Sequence, residues 1–198
     1  MKKKAKKITI SGIVFSLFFA GASATLEDRD TNTKCGGEER WAQKVVIDDS
    51  ATEINTTPKQ TTIEAMNETS TAGIHITSKT ERQDIEKQVY TIKNCFISKA
   101  MIESDNDIHL AIEDGAGHHM VAEIPDPKCS EAKESDFYKD YKKVRTTFLK
   151  YQNVYNHYRF NITGVLFIDK KHPKPPVGNA SNNIELHPVI GLTIADKF

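Results

Sequence analysis

The sequence predicts a mainly β protein with one principal helix, folded as a five-stranded Greek-key barrel like the OB-fold and preceded by an N-terminal arm. The main observation is the order of the elements, which reads strand, strand, strand, helix, strand, strand. The segments are 89–103, 108–114, 119–125, 137–151, 160–169 and 184–194. A helix between the third and fourth of five strands is the element order of the OB-fold.

The second observation is that the second and third strands pair well in one register. Gly115-Ala116-Gly117 offers a three-residue turn with glycine available for a positive φ. Closing the hairpin there puts the apolar residues on one face and the polar residues on the other. The apolar pairs are Ile108 with Ile124, Leu110 with Ala122, and Ile112 with Met120. The polar face pairs His109 with Glu123 and Glu113 with His119.

The first strand and the helix carry two further signals. The strand at 89–103 does not alternate cleanly, and a phase change near Cys95 or Ser98 indicates a bulge in one long, bent strand. In the helix, the apolar residues recur every three or four positions and form one stripe. The stripe contains Phe137, Tyr141, Val144, Phe148 and Tyr151.

Residues 1–24 have the pattern of a secretory signal peptide. Five lysines within the first seven residues are followed by an apolar stretch from Ile8 to Ala20 and by the small-residue cleavage signal Ala22-Ser23-Ala24. The stretch is short for a bilayer-spanning helix, although a retained membrane anchor is the alternative. We expect cleavage after Ala24, a secreted or periplasmic protein, and no membrane span in the mature chain.

The rest of the chain divides into an N-terminal region at 25–88 and the barrel at 89–198. Within the first region, 49–82 is rich in Thr, Ser, Asn and Glu and is expected to run over the surface. The segment Thr61-Thr62-Ile63-Glu64 predicts a short capped helix that ends near Asn67.

The charge balance disfavours nucleic acid as a partner. Basic and acidic residues number 27 each, and loss of the signal peptide would remove five lysines. The mature chain is then acidic, whereas capture of nucleic acid requires a basic footprint.

The three cysteines predict at most one intrachain disulfide bond. An exported protein meets an oxidising environment, where such bonds persist. Cys95 lies in a strand pattern and fits a buried thiol, whereas Cys35 and Cys129 lie in loop-like sequence. We expect a Cys35–Cys129 bond, and three free thiols are the alternative.

Several sequence blocks resemble a group of uncharacterised secreted bacterial proteins. The blocks are Cys35-Gly36-Gly37-Glu38-Glu39-Arg40-Trp41, Asp107-Ile108-His109-Leu110, Ala122-Glu123-Ile124-Pro125-Asp126-Pro127-Lys128-Cys129, Ile162-Thr163-Gly164-Val165 and Ile184-Glu185-Leu186-His187-Pro188-Val189. The resemblance covers most of the chain from Cys35 onward. It implies export from a bacterial cell and carries over no activity. The group has a Gly-rich loop before the last strand, whereas this chain has the Pro- and Lys-rich segment 171–176.

A polar cluster is predicted on the outer face of the second, third and fifth barrel strands. The hairpin register places His109 beside Glu123, and strand alternation puts Glu185 and His187 on one face. In an OB barrel the third strand lies between the second and the fifth, so the four side chains could converge. Imidazole and carboxylate groups are ligands for zinc and related ions, and also perform acid–base catalysis. A purely structural set of hydrogen bonds is the alternative.

Arg40 and Trp41 form a second candidate binding unit. An aromatic ring next to a guanidinium could stack on a ligand and pair with a phosphate. The alternative is that Trp41 packs against the barrel and Arg40 pairs with a carboxylate.

Two functional hypotheses follow from these residues. The first is a non-enzymatic, exported OB-fold binding protein without a cofactor, whose partner is a small ligand, an oligosaccharide or an envelope protein. The second is a metal-dependent periplasmic hydrolase that uses the four-residue cluster, with His109, Glu123 and His187 as ligands of a divalent ion such as zinc.

Overall fold

The computed structural model describes residues 35–36 and 39–198, so the predicted signal peptide and residues 25–34 lie outside the described residues. Three α-helices and six strands are present in this part of the chain. They are α1 (Trp41–Lys44), β1 (Asn55–Thr61), α2 (Ile63–Glu68), β2 (Gln88–Ile102), β3 (Ile108–Glu113), β4 (His119–Ile124), α3 (Tyr138–Tyr151), β5 (Tyr158–Ile168) and β6 (Ile184–Lys197). Single 3₁₀ turns occur at 51–53, 84–86, 131–134 and 155–157.

Strands β2 to β6 form the predicted barrel. The strand order is β2-β3-β4-β6-β5, and β5 also pairs with β2, so the five strands close into a ring. The β4–β6 pairing is parallel and the other pairings in the ring are antiparallel. The mainly β, OB-fold-like barrel with one principal helix is therefore confirmed.

The predicted hairpin register is confirmed, including the polar pair His109–Glu123. The long strand β2 shifts register near Cys95 in its pairing with β5, and between Ile97 and Lys99 in its pairing with β3. These irregularities lie where the sequence loses its alternation. They bend β2 so that one strand serves both sides of the barrel.

The barrel interior is the main hydrophobic core. Alternate residues of β3 and β4 point into it, together with residues from the other strands, and Val144 and Phe148 of α3 join the same core. Tyr141 of α3 lies outside this core, in a second cluster with Val45, Cys129 and Ala132. The helix stripe therefore serves two partners, because it packs on the barrel and also holds the segment before β1.

The region at 49–82 contains more regular structure than expected. β1 lies in it and adds a sixth strand, parallel to β2, at the side of the barrel. The sequence offers no apolar alternation there because β1 is almost wholly exposed. Helix α2 is the predicted capped helix, with the Thr62 hydroxyl accepting a hydrogen bond from the Ala65 amide.

The Cys35–Cys129 disulfide bond is present and joins the N-terminal region to the segment after β4. Cys95 is free and buried, and this burial raises the pKa of its thiol to about 12. Within the described residues, no helix is long and apolar enough to cross a membrane.

A thiol count tests this cysteine arrangement. Because a thiol reagent attacks the thiolate, and Cys95 is both enclosed and protonated, we expect no reactive thiol in the native oxidised protein. Unfolding without reduction should release one thiol per chain, and unfolding with reduction should release all three. Two or more thiols before reduction would contradict the disulfide assignment.

Candidate functional site

The four predicted side chains, His109, Glu123, Glu185 and His187, meet on the outer wall of the barrel. They come from β3, β4 and β6, which lie side by side because β4 pairs with both neighbours. The relative exposures are 0%, 4%, 3% and 0%. The cluster is thus enclosed, although it lies on the outside of the strands.

Two segments cover the cluster. The first is the arm segment, residues 39–48, which places the Lys44 ammonium 4.0 Å from Glu123 Oε2. The second is the covering loop, residues 169–183, in which the Val177 carbonyl accepts a hydrogen bond of 2.8 Å from His109 Nε2. Gly178 follows with a φ of +86°, and a Cβ atom there would lie 2.5 Å from the Ala111 Cβ. The loop therefore lies in direct contact with β3.

We call the enclosed group the polar centre; it comprises Lys44, Asp107, His109, Glu123, Glu185 and His187. Glu123 lies in its middle. Its Oε1 accepts a hydrogen bond from His109 Nδ1 at 3.0 Å, and its Oε2 lies 2.9 Å from His187 Nδ1. Burial alone would raise the pKa of Glu123, but the charge of His187 and the hydrogen bond from His109 hold it well below its usual value. Glu123 is thus a buried carboxylate.

His109 is held as an imidazolium. Its Nδ1 faces two carboxylates, Glu123 at 3.0 Å and Glu103 at 3.2 Å, and its Nε2 faces the Val177 carbonyl. All of these partners are acceptors, so both ring nitrogens must carry protons. Burial lowers the pKa of His109, but the hydrogen bonds that its ring donates to Glu103 and Glu123 outweigh this effect and raise the pKa to about 10.

His187 lies among three carboxyl groups. Its Nδ1 donates to Glu185 Oε1 at 3.2 Å, and its Nε2 lies 3.2 Å from Asp107 Oδ2. Burial opposes the charge on its ring, yet Glu123 and Asp107 raise the pKa of His187 well above its usual value. The carboxyl groups around the His187 ring therefore stabilise a positive charge there.

Two carboxyl groups of the centre are easily protonated. Burial raises the pKa of Asp107 to about 6, although His187 opposes the shift. Burial, together with the charges of Glu123 and Asp169, raises the pKa of Glu185 to about 7. Groups with such shifts are typical of functional sites, and also occur in structural ion-pair networks.

Three residues of the polar centre each have one side-chain polar atom in a hydrogen bond and a second polar atom without a hydrogen bond. Asp107 Oδ1 accepts from the Asp126 amide at 2.8 Å, Glu123 Oε1 accepts from His109, and His187 Nδ1 donates to Glu185. Within the described part of the chain, Asp107 Oδ2, Glu123 Oε2 and His187 Nε2 are buried without a hydrogen bond. The 3.2 Å approach of His187 Nε2 to Asp107 Oδ2 is therefore a contact of charges that lacks hydrogen-bond alignment.

Two overlapping sets of side chains could hold a metal ion here. One set is Asp107, Glu123 and His187, and the other is Glu103, His109 and Glu123; in each, the donor atoms lie within 4.8 Å of one another. The predicted ligands His109, Glu123 and His187 are thus divided between the two sets. In the second set both His109 nitrogens already donate hydrogen bonds, so the first set is better suited to a metal.

Arg40 and Trp41 have structural partners. The Arg40 guanidinium forms a buried ion pair of 2.7 Å with Glu86, donates to the Ile168 carbonyl, and lies over the Phe167 ring. Trp41 packs with the cluster that contains Cys129 and Tyr141. The Arg40–Glu86 pair matches the structural alternative for Arg40, whereas Trp41 packs on the cluster beside the barrel core. Both contacts fix the arm segment beside the polar centre.

Sequence reasoning did not select Lys44 and Asp107. The sequence does contain an indication for Asp107, because it lies two residues before His109 and so shares the same side of the extended chain. The sequence contains no such indication for Lys44, because Lys44 reaches Glu123 from a distant segment. The position of that segment depends on the Cys35–Cys129 bond and the Arg40–Glu86 pair.

No family model, curated protein or solved structure matches this chain. The resemblance of its sequence blocks to secreted bacterial proteins therefore stays a prediction.

The contact between Gly178 and Ala111 predicts that the covering loop does not tolerate a Cβ atom. We expect Gly178→Ala to lower the free energy of unfolding by about 2–4 kcal/mol, which combines left-handed strain with overpacking. Gly73→Ala is the matched control, because Gly73 has a φ of +80° and open space where a Cβ atom would lie. That substitution should cost about 1 kcal/mol. Equal costs in urea unfolding would contradict the close packing of the loop.

Proposed function

We propose that this chain is an exported, non-enzymatic OB-barrel binding protein whose ligand occupies the polar centre. The observation that carries the proposal is the enclosure of a centre with three buried polar atoms outside any hydrogen bond. Such atoms cost free energy in an unliganded protein, and a ligand that satisfies them recovers that cost. The outer wall of these strands is also a surface on which OB-folds bind their ligands.

Enclosure favours binding over turnover. A hydrolase has to admit substrate and release product in every cycle, whereas a tightly held ligand can stay covered. His109 and His187 are both fully buried, and Lys44 closes the centre from the arm segment. The hydrolase hypothesis has no comparable support, because none of the four predicted catalytic side chains lies at the surface.

We further propose that the protein is secreted or periplasmic and of bacterial origin. The signal-peptide pattern in residues 1–24 and the sequence blocks support this. The Cys35–Cys129 bond adds support, because disulfides persist in oxidising compartments.

Expression of the full chain in a bacterial host tests the export proposal. We expect the exported fraction to contain a protein that begins at Thr25, identified by amino-terminal sequencing and intact mass. Substitution of Ala22 and Ala24 by larger residues should block the cleavage and serves as the control. Retention of the whole chain in the cytoplasm, with its first 24 residues intact, would contradict export.

A thermal-shift comparison tests binding at the centre. The probes are zinc chloride, inorganic phosphate and cellotriose, each added to the chelator-treated, oxidised protein. A ligand at 100 times its Kd stabilises the folded state by about 2.7 kcal/mol, so we expect one probe to raise the Tm by several degrees. The shift should be lost in Glu123→Gln and kept in Glu113→Gln, a half-exposed glutamate of neighbouring β3. The proposal fails if no probe stabilises the protein or if both variants respond like the wild type.

A further inference from the structure

We infer that the polar centre binds one divalent transition-metal ion, with Asp107 Oδ2, Glu123 Oε2 and His187 Nε2 as its protein ligands. This inference rests on the proposed binding function and names the class of ligand. One nitrogen and two oxygen donors form a set that suits zinc and neighbouring first-row ions.

The hydrogen bonds around the three residues leave one donor atom on each for the ion. In metal sites, a ligating histidine typically donates its other ring N–H to a carboxylate or carbonyl, and ligating carboxylates are themselves hydrogen-bonded. His187 meets the first condition through Nδ1–H and Glu185 at 3.2 Å. Asp107 and Glu123 meet the second through the Asp126 amide and His109. The hydrogen bonds that usually orient metal ligands are thus present around Asp107 Oδ2, Glu123 Oε2 and His187 Nε2.

The spacing of the donor atoms fits the inference. His187 Nε2 and Asp107 Oδ2 lie 3.2 Å apart. Two ligands bound at about 2.0–2.1 Å to a tetrahedral ion are separated by about 3.3 Å. Donor atoms of the three residues lie within 4.8 Å of one another. Glu123 Oε2 lies 2.9 Å from His187 Nδ1, so the Glu123 carboxylate has to turn toward the Nε2 side of the ring to complete the set.

Charge balance supports a dication. Asp107, Glu123, Glu185 and the adjoining Glu103 carry four negative charges when ionised, while Lys44 and the His109 imidazolium supply two positive charges. A divalent ion on neutral His187 brings the sum over these six groups to zero, and the nearby carboxylates of Asp105 and Asp169 add to the demand for positive charge. Without the ion, only a proton on His187 partly replaces this charge, and burial of unbalanced charge is costly.

Calorimetry with zinc, on the full oxidised chain after chelation and dialysis, tests the inference. We expect one zinc ion per chain and a Kd below micromolar, with no comparable binding of magnesium, which prefers oxygen ligands and water. Asp107→Asn and His187→Gln should each weaken zinc binding by at least about 100-fold. Glu185→Gln acts through His187 and should weaken it by about 10–100-fold.

The partly exposed pair Asp114 and His118 offers matched controls, because the same two residue types form an ion pair of 2.6 Å in the β3–β4 turn region. Asp114→Asn and His118→Gln should bind zinc like the wild type. X-ray absorption of the zinc-loaded wild type gives a readout that does not depend on any variant folding. One imidazole and otherwise oxygen ligands near 2.0–2.1 Å are expected.

The results separate the two proposals. Absence of zinc binding, wild-type affinity in Asp107→Asn, equal losses in the control variants, or two imidazoles in the absorption spectrum would each overturn the metal assignment. If zinc fails while phosphate or cellotriose stabilises the protein through Glu123, the binding function stands and the metal inference falls. If every probe fails, both fall.

Discussion

The buried carboxylate of Glu123 is the constraint around which this structure is organised. A carboxylate inside a protein is tolerated only where positive charge and hydrogen bonds replace water, and removing one partner of such a group costs about 3–5 kcal/mol. Here the partners come from three directions. His109 lies on β3, His187 lies on β6, and Lys44 comes from the arm segment. The barrel wall and the arm segment are therefore joined through the charged groups of the polar centre.

The arm segment and the covering loop are held by interactions that do not involve the polar centre itself. The Cys35–Cys129 bond and the Arg40–Glu86 pair fix the arm segment, and the Tyr141 hydroxyl donates to the Val45 carbonyl at 2.9 Å. On the other side, the close contact of Gly178 with β3 fixes the covering loop. The arm segment and the covering loop are thus held in place while three polar atoms of the centre stay outside any hydrogen bond.

The burial of the polar centre affects which functions its residues can perform. An exposed cluster of histidine and glutamate would be consistent with acid–base catalysis, with metal binding or with ordinary solvated pairs. Once the cluster is buried, each unmatched atom carries a cost, and the pattern of matched and unmatched atoms becomes informative. The unmatched atoms of Asp107, Glu123 and His187 are the basis on which one shared ligand is proposed.

Local alternation and turn chemistry in the sequence predict the β3–β4 register and the capped helix α2. The order of the elements predicts the barrel and the convergence of His109, Glu123, Glu185 and His187. The pairing of Cys35 with Cys129 also followed from the sequence. The enclosure of the cluster and the approach of Lys44 to it are visible only in the folded structure. Those facts depend on contacts between segments far apart in the chain, such as Arg40 with Glu86 and Gly178 with Ala111, which leave no periodic signal in the sequence.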